Sequence, residues 1–198
     1  MFDLAHKKSA YKGRSLILSE KKSADEEKLP MIKVYLANRP PLAEYLDVDV
    51  IDQLPVGEIQ RIASETGNHW RKIFNVYAKL IYSLAGMAHH SLLQQYGSWQ
   101  EYRDQSLLQQ GSDTELYFDP PSLSLGLKSG VHVVMGKSFS ERLLADISLE
   151  WLDNDFAINR KHNIIVSPYF DYRQLSNIKI ERLAELIVSL QNAVVLRH

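Results

Sequence analysis

One short apolar run that stops at a proline constrains this chain more than any other feature. Asn163–Val166 is rich in β-branched residues and leads straight into Ser167-Pro168. Such residues favour a pleated, half-buried strand, and a proline has no N–H with which to continue the ladder. The chain must therefore leave the sheet at the strand's carboxyl end, through the polar and aromatic loop Tyr169–Gln174. In open α/β sheets that edge is the usual ligand crevice. The segment 159–177 thus supplies a first group of candidate ligand-binding residues: Ser167, Pro168, Tyr169, Asp171 and Arg173. Asp171 and Arg173 lie two positions apart, close enough to pair and stiffen the loop.

The same design recurs upstream. Met31–Leu36 (MIKVYL) runs into Ala37-Asn38-Arg39-Pro40-Pro41, where two prolines force an extended loop that presents Asn38 and Arg39. Glu115–Ser122 (ELYFDPPS) ends in Pro-Pro and delivers Phe118 and Asp119. Val131–Met135 (VHVVM) is almost continuously apolar, as strands buried on both faces of a parallel sheet are, and turns at Gly136-Lys137. Strands are predicted at about 32–36, 115–118, 131–135 and 163–166, with their Asn38, Phe118, Gly136 and Pro168 ends on one edge.

Helices fall between these strands. From Asn68, a candidate N-cap, Trp70, Ile73, Phe74, Tyr77, Leu80, Ile81 and Leu84 repeat at helical spacing, which makes the aromatic row core rather than a stacking platform. Trp99 and Tyr102 are expected to cap a satellite cluster. Ser138 and Glu141 have capping-box spacing before Phe139, Leu143 and Ile147, and Ser176 or Asn177 caps a last helix. The order strand, long helical region, strand, helix, strand, helix predicts an α/β fold with a mostly parallel sheet.

Several function classes are excluded or disfavoured. The 198 residues include no cysteine, so thiolate chemistry and cysteine-held metals are out, and a cytoplasmic setting is expected. A net charge of −1 gives no global pull toward nucleic acid. No run approaches the roughly 20 apolar residues of a spanning helix, and the N-terminus lacks a signal-like apolar core, so no membrane partner is expected.

Residues 1–30 carry seven Lys or Arg against five acids, a mildly basic arm whose SLILS patch at 15–19 can dock on the body, leaving 31–198 as one domain. Asp47, Asp49 and Asp52 lack the glycine and glutamate of a calcium loop and are expected to be solvated. Adjacent His89 and His90 diverge by about 100° on a helix and cannot share a metal. The Gly136-Lys137-Ser138 triplet lacks the earlier glycine of a phosphate loop, and Ser122 breaks a nucleophile elbow. No metal and no cofactor are predicted. The oligomeric state stays open.

Three stretches carry a family resemblance: LANRP at 36–40, VVMGKSFSERL at 133–143 and IIVSPYFDYRQLS at 164–176. In order and spacing the chain resembles the uracil-DNA glycosylase superfamily, most of all its mismatch-specific uracil/thymine branch, as a divergent member. The resemblance implies a three-layer α/β/α sandwich with a mostly parallel central sheet. It matches Asn38 to the asparagine that positions the attacking water, Gly136 and Lys137 to the middle turn, and Ser167-Pro168-Tyr169 to an Asn-Pro-Ser triplet. Leu36 and Pro40 stand where that family has glycines, Ser167 where it has Asn or His, and Tyr169 where it has a phosphate-gripping serine.

Two functions follow as expectations. In the first, the crevice binds a nucleotide, nucleic acid or a protein segment without catalysis. In the second, the chain is a base-excision hydrolase: Asn38 holds a water, Phe118 or Tyr169 stacks on a base, and Arg39, Lys137, Arg160, Lys161 and Arg173 take phosphates.

Overall fold

Four apolar strands run parallel through the centre of the sheet, as their sequence pattern requires. They are β1 (Ile32–Leu36), β3 (Thr114–Phe118), β4 (Val131–Met135) and β7 (Ile164–Ser167), in a computed structural model that describes residues 28–120 and 130–195. The expected arm, apart from its last three residues, lies outside the described residues, as do its SLILS patch and the SLSLG stretch.

Three short strands complete a seven-stranded mixed sheet: β2 (Val50–Ile51), β5 (Glu150–Trp151) and β6 (Ala157–Asn159). The spatial order is β2-β3-β1-β4-β7-β6-β5. β2 pairs antiparallel with β3, β6 with β7, and β5 with β6. The helices are α1 (Glu58–Thr66), α2 (Asn68–Met87), α3 (Leu92–Gln95), α4 (Trp99–Gln105), α5 (Lys137–Leu143) and α6 (Asn177–Val195).

Strand alternation sends neighbouring side chains to opposite faces. Ile32, Val34 and Leu36 of β1 join Val131, Val133 and Met135 of β4 in a large core with α2, α4 and α6, where Trp70, Phe74 and Tyr77 are essentially unexposed. Tyr35 and Val134 face the other way, into a smaller cluster with Phe139 and Leu143 of α5. Tyr102 is buried in the larger core and Trp99 packs against it, so no separate satellite cluster forms around them.

The smaller face also carries a polar row. Lys33 lies in register with Glu115 and His132, and its ammonium is 3.2 Å from the Glu115 carboxylate. Tyr35 stacks on Tyr117 at 4.8 Å and its hydroxyl lies 2.8 Å from His132 Nδ1. His132 is 2% exposed. Burial, reinforced by the Lys33 charge, lowers its pKa to about 4.

Two capping expectations are corrected. Ser138 is exposed and makes no cap; Gly136 occupies the N-cap of α5 with φ 87°, and the helix ends at Leu143, short of Ile147. Likewise Gly67 precedes α2, so Asn68 is its first residue, with a side chain that accepts from Arg71 rather than capping. At α6 the Ser176 carbonyl accepts the first helical bond from Ile180 N–H, as an N-cap residue does. His89 and His90 follow the end of α2, and His90 Nδ1 accepts the Leu92 N–H at 3.1 Å.

Candidate functional site

Parallel register brings the four central strands to one carboxyl edge. Leu36 lies beside Phe118, Tyr35 beside Val134, and Met135 beside Ser167. The loops bearing Asn38, Asp119, Gly136 and Pro168 therefore emerge together, stitched by Asp119 N–H to Leu36 O at 2.9 Å and Gly136 N–H to Ser167 O at 2.8 Å. The sequence expectation of a shared edge holds.

Not every residue delivered there faces outward. Arg39 turns back to the segment that leads into β2: its Nε donates to Val48 O at 2.8 Å, and its terminal nitrogen reaches Asp49 at 2.9 Å. Its guanidinium is also 6.0 Å from the Phe118 ring centroid. The expected phosphate ligand is thus a staple between the first loop and the sheet. Phe118 is fully buried and meets Trp70 edge-on at 5.9 Å, because strand parity puts it on the α2 face; it offers no surface to a base. Asp119 has φ 38° and pairs with Arg142. Ser167 is 1% exposed and donates its hydroxyl to Pro168 O at 3.0 Å, which leaves it no ligand-facing role.

Asn38 and Lys137, by contrast, are exposed. The Lys137 ammonium lies 4.8 Å from the centroid of the Trp151 ring, which is 41% exposed. Gly136 holds a φ that a side chain rarely adopts, and a Cβ there would lie 4.0 Å from Tyr169 Cδ2.

Tyr169 continues the aromatic surface. Its ring stacks on His69 at 5.6 Å, and its hydroxyl is 3.1 Å from His69 Nε2. Burial, helped by the Asp171 charge, pushes the phenol up to about 12.

The rest of the loop is clasped to α2. Asp171 receives Lys72 Nζ at 2.8 Å and Arg173 N–H at 3.0 Å, with the Arg173 guanidinium at 3.4 Å. Lys72 above all holds this carboxyl well below the usual carboxylate range. The anticipated Asp171–Arg173 pair exists, but it is secondary to Lys72, and the Arg173 side chain stays 73% exposed. Lys72 also sits 4.8 Å from the Tyr172 ring centroid.

Sequence reading missed His69 and Lys72. Both fall on the polar side of the first turn of α2, and a loop arriving from residue 169 could have been sought there. Arg160 and Lys161 are corrected outright. They occupy the β6–β7 turn, which precedes β7 and so lies at the opposite, amino edge, where Arg160 is 3.6 Å from Glu150. The three-residue β6 reverses the chain, and its shortness hid that reversal. Among the described residues no group of three His, Asp or Glu is placed to hold a metal, and no described helix is long and apolar enough to cross a membrane.

Asn38, Lys137, Trp151, His69 and Tyr169 thus line the outward part of this edge. They supply an amide, an ammonium and aromatic faces, a set suited to a planar, anionic ligand. A model of a family of unknown function, DUF6942, matches residues 26–188. The chain belongs to that family. The DUF6942 match spans all seven strands and every residue of this edge. No curated protein and no solved structure matches the chain.

Proposed function

We propose that the carboxyl edge binds a nucleotide or a nucleic-acid end, with a protein segment as the other occupant of the same crevice, in a fold of uracil-DNA glycosylase type. The observation that carries this reading is the exposure of Asn38 and Lys137 on the edge that also bears the His69–Tyr169 stack. A base needs an aromatic face and an amide for its edge, and a phosphate needs a cation. The finer architecture we infer is the three-layer α/β/α sandwich, supported by two apolar clusters that use opposite parities of the same strands.

Binding without catalysis fits this edge better than duplex processing. Duplex binding relies on several phosphate contacts, whereas Arg39 and Lys72 are committed to Asp49 and Asp171. The glycosylase reading keeps one supporting observation, the exposed Asn38 amide at the position that the family resemblance matches to the water-holding asparagine.

Fluorescence anisotropy with a 5′-phosphorylated single strand and a mononucleotide, run beside single-turnover base release from uracil, thymine-mismatch and hypoxanthine duplexes, separates the two. In the binding reading the wild type releases no base, and Asn38→Ala weakens the ligand by roughly 1–3 kcal/mol. A glycosylase instead loses roughly 10²-fold in rate with binding intact. No measurable affinity for either probe sinks the binding reading, and no base release from any duplex sinks the glycosylase reading.

A further inference from the structure

At the amino edge, where β1 and β3 begin, the described residues line a cavity of about 310 Å³. That volume falls in the range of small-molecule sites. Its floor is apolar: Ile32 opens β1, and Ile81 and Leu84 close α2, all at most 4% exposed. One wall is an edge-to-face pair, Tyr96 and Tyr102, with centroids 5.5 Å apart. Tyr96 is fixed by its neighbours, since its carbonyl accepts from the Tyr82 hydroxyl at 3.1 Å and its own hydroxyl accepts from Gln95 Nε2 at 2.9 Å.

The charge of the lining is one-sided. No Lys or Arg is among the described lining residues, and Asp113 is their one carboxylate. Asp113 is half-buried, and none of the ion pairs between described residues involves it. Its backbone is pinned by Ile32 N–H donating to Asp113 O at 2.9 Å, which fixes the residue in the cavity lining at the start of β3. An anion would meet this carboxylate with no Lys or Arg to offset it, the imidazole of His90 being the one other ionisable side chain of the described lining besides the tyrosines. A purely apolar ligand would leave the polar rim unpaired.

We propose that this cavity is a second binding site, for a small organic cation: an ammonium with a branched or aromatic hydrocarbon body. The hydrocarbon lies on Ile32, Ile81 and Leu84. The nitrogen pairs with Asp113 and faces the tyrosine pair, whose rings attract a desolvated cation. This site lies across the sheet from the carboxyl-edge crevice and stands independently of the function proposed for that crevice.

Three isosteres test it on the full chain by calorimetric titration: 3-methylbutylammonium, 3-methylbutan-1-ol and 3-methylbutanoate. The ammonium is expected to bind at least roughly 10-fold tighter than the alcohol, and the carboxylate not at all. Asp113→Asn removes that preference and leaves the alcohol unchanged, while Leu92→Trp, on the half-buried rim, blocks both. The ammonium also shifts the side-chain amide NMR signals of Gln105 and Gln110 in the wild type, a readout that requires no variant to fold. Absence of saturable ammonium binding at millimolar concentration, equal affinity for ammonium and alcohol, unchanged ammonium affinity in Asp113→Asn, or NMR shifts confined to other residues would each overturn the proposal.

Discussion

Acidification should destabilise this protein through one imidazole before its carboxylates respond. His132 is 2% exposed and lies beside Lys33 in register, with Tyr35 hydroxyl on its Nδ1 and Glu115 across the row. Its pKa falls from 6.5 in the unfolded chain to about 4 in the fold. The unfolded state therefore takes up the proton first, and stability is complete above about pH 6.5 and declines as pH falls toward 4. A gap of about 2.5 pH units, at about 1.4 kcal/mol each, sets a ceiling near 3.5 kcal/mol, of which about 2.5 is lost by about pH 4.5. Urea denaturation at half-unit steps from about pH 7.5 to 4.5 measures it, with His132→Gln as the comparator that keeps an acceptor for Tyr35. The wild-type curve should fall more steeply than the variant's. Parallel curves, or an His132 ring resonance that titrates near pH 6.5, would refute the assignment.

Three further outcomes are expected. Asp171→Asn should cost about 1.5–3 kcal/mol near pH 7 by urea denaturation, and the gap should narrow below about pH 4, because a carboxyl held low contributes only while ionised; a gap unchanged at pH 3 contradicts the clasp. Gly136→Ala should cost about 1–3 kcal/mol in the same assay through its φ of 87°, since the nearest atom to a new Cβ is 4.0 Å away and crowding is not the cause. Phe118→Ala should cost about 3–5 kcal/mol as a core truncation, and a loss below about 1 kcal/mol would show that the ring does not lie under Trp70.

The central strands were legible because each combines a β-branched or continuous apolar run with a Pro or Gly stop, two signals with separate physical causes. The Trp70–Phe74–Tyr77 row was legible too, since helical spacing identifies a core face. The strands β2, β5 and β6, of two or three residues, carry no period of their own and exist through pairing with neighbours. Helix α1 escaped because only Ile59 and Ile62 of its nine residues are buried.

At the site, residue type and address were readable but commitment was not. Arg39 and Lys137 look alike as free cations in the sequence, and only the fold shows one bonded to Val48 and Asp49 and the other exposed. Phe118 differs from an outward ring by a single step of strand parity.

The two outer strands of the sheet bear on how copies of this chain meet. β2 and β5 are two residues long, flanked or occupied by the exposed acids Asp49, Asp52 and Glu150. A growing β-stack needs a long, flat, uncharged edge on which to template the next strand. Here the long parallel strands are enclosed between short antiparallel neighbours that offer an incoming chain only a residue or two of free backbone beside a negative charge. Concentrated protein should therefore resist polymerisation through the edges of this sheet, and among the described residues the helical faces and loops are the surfaces left for self-association.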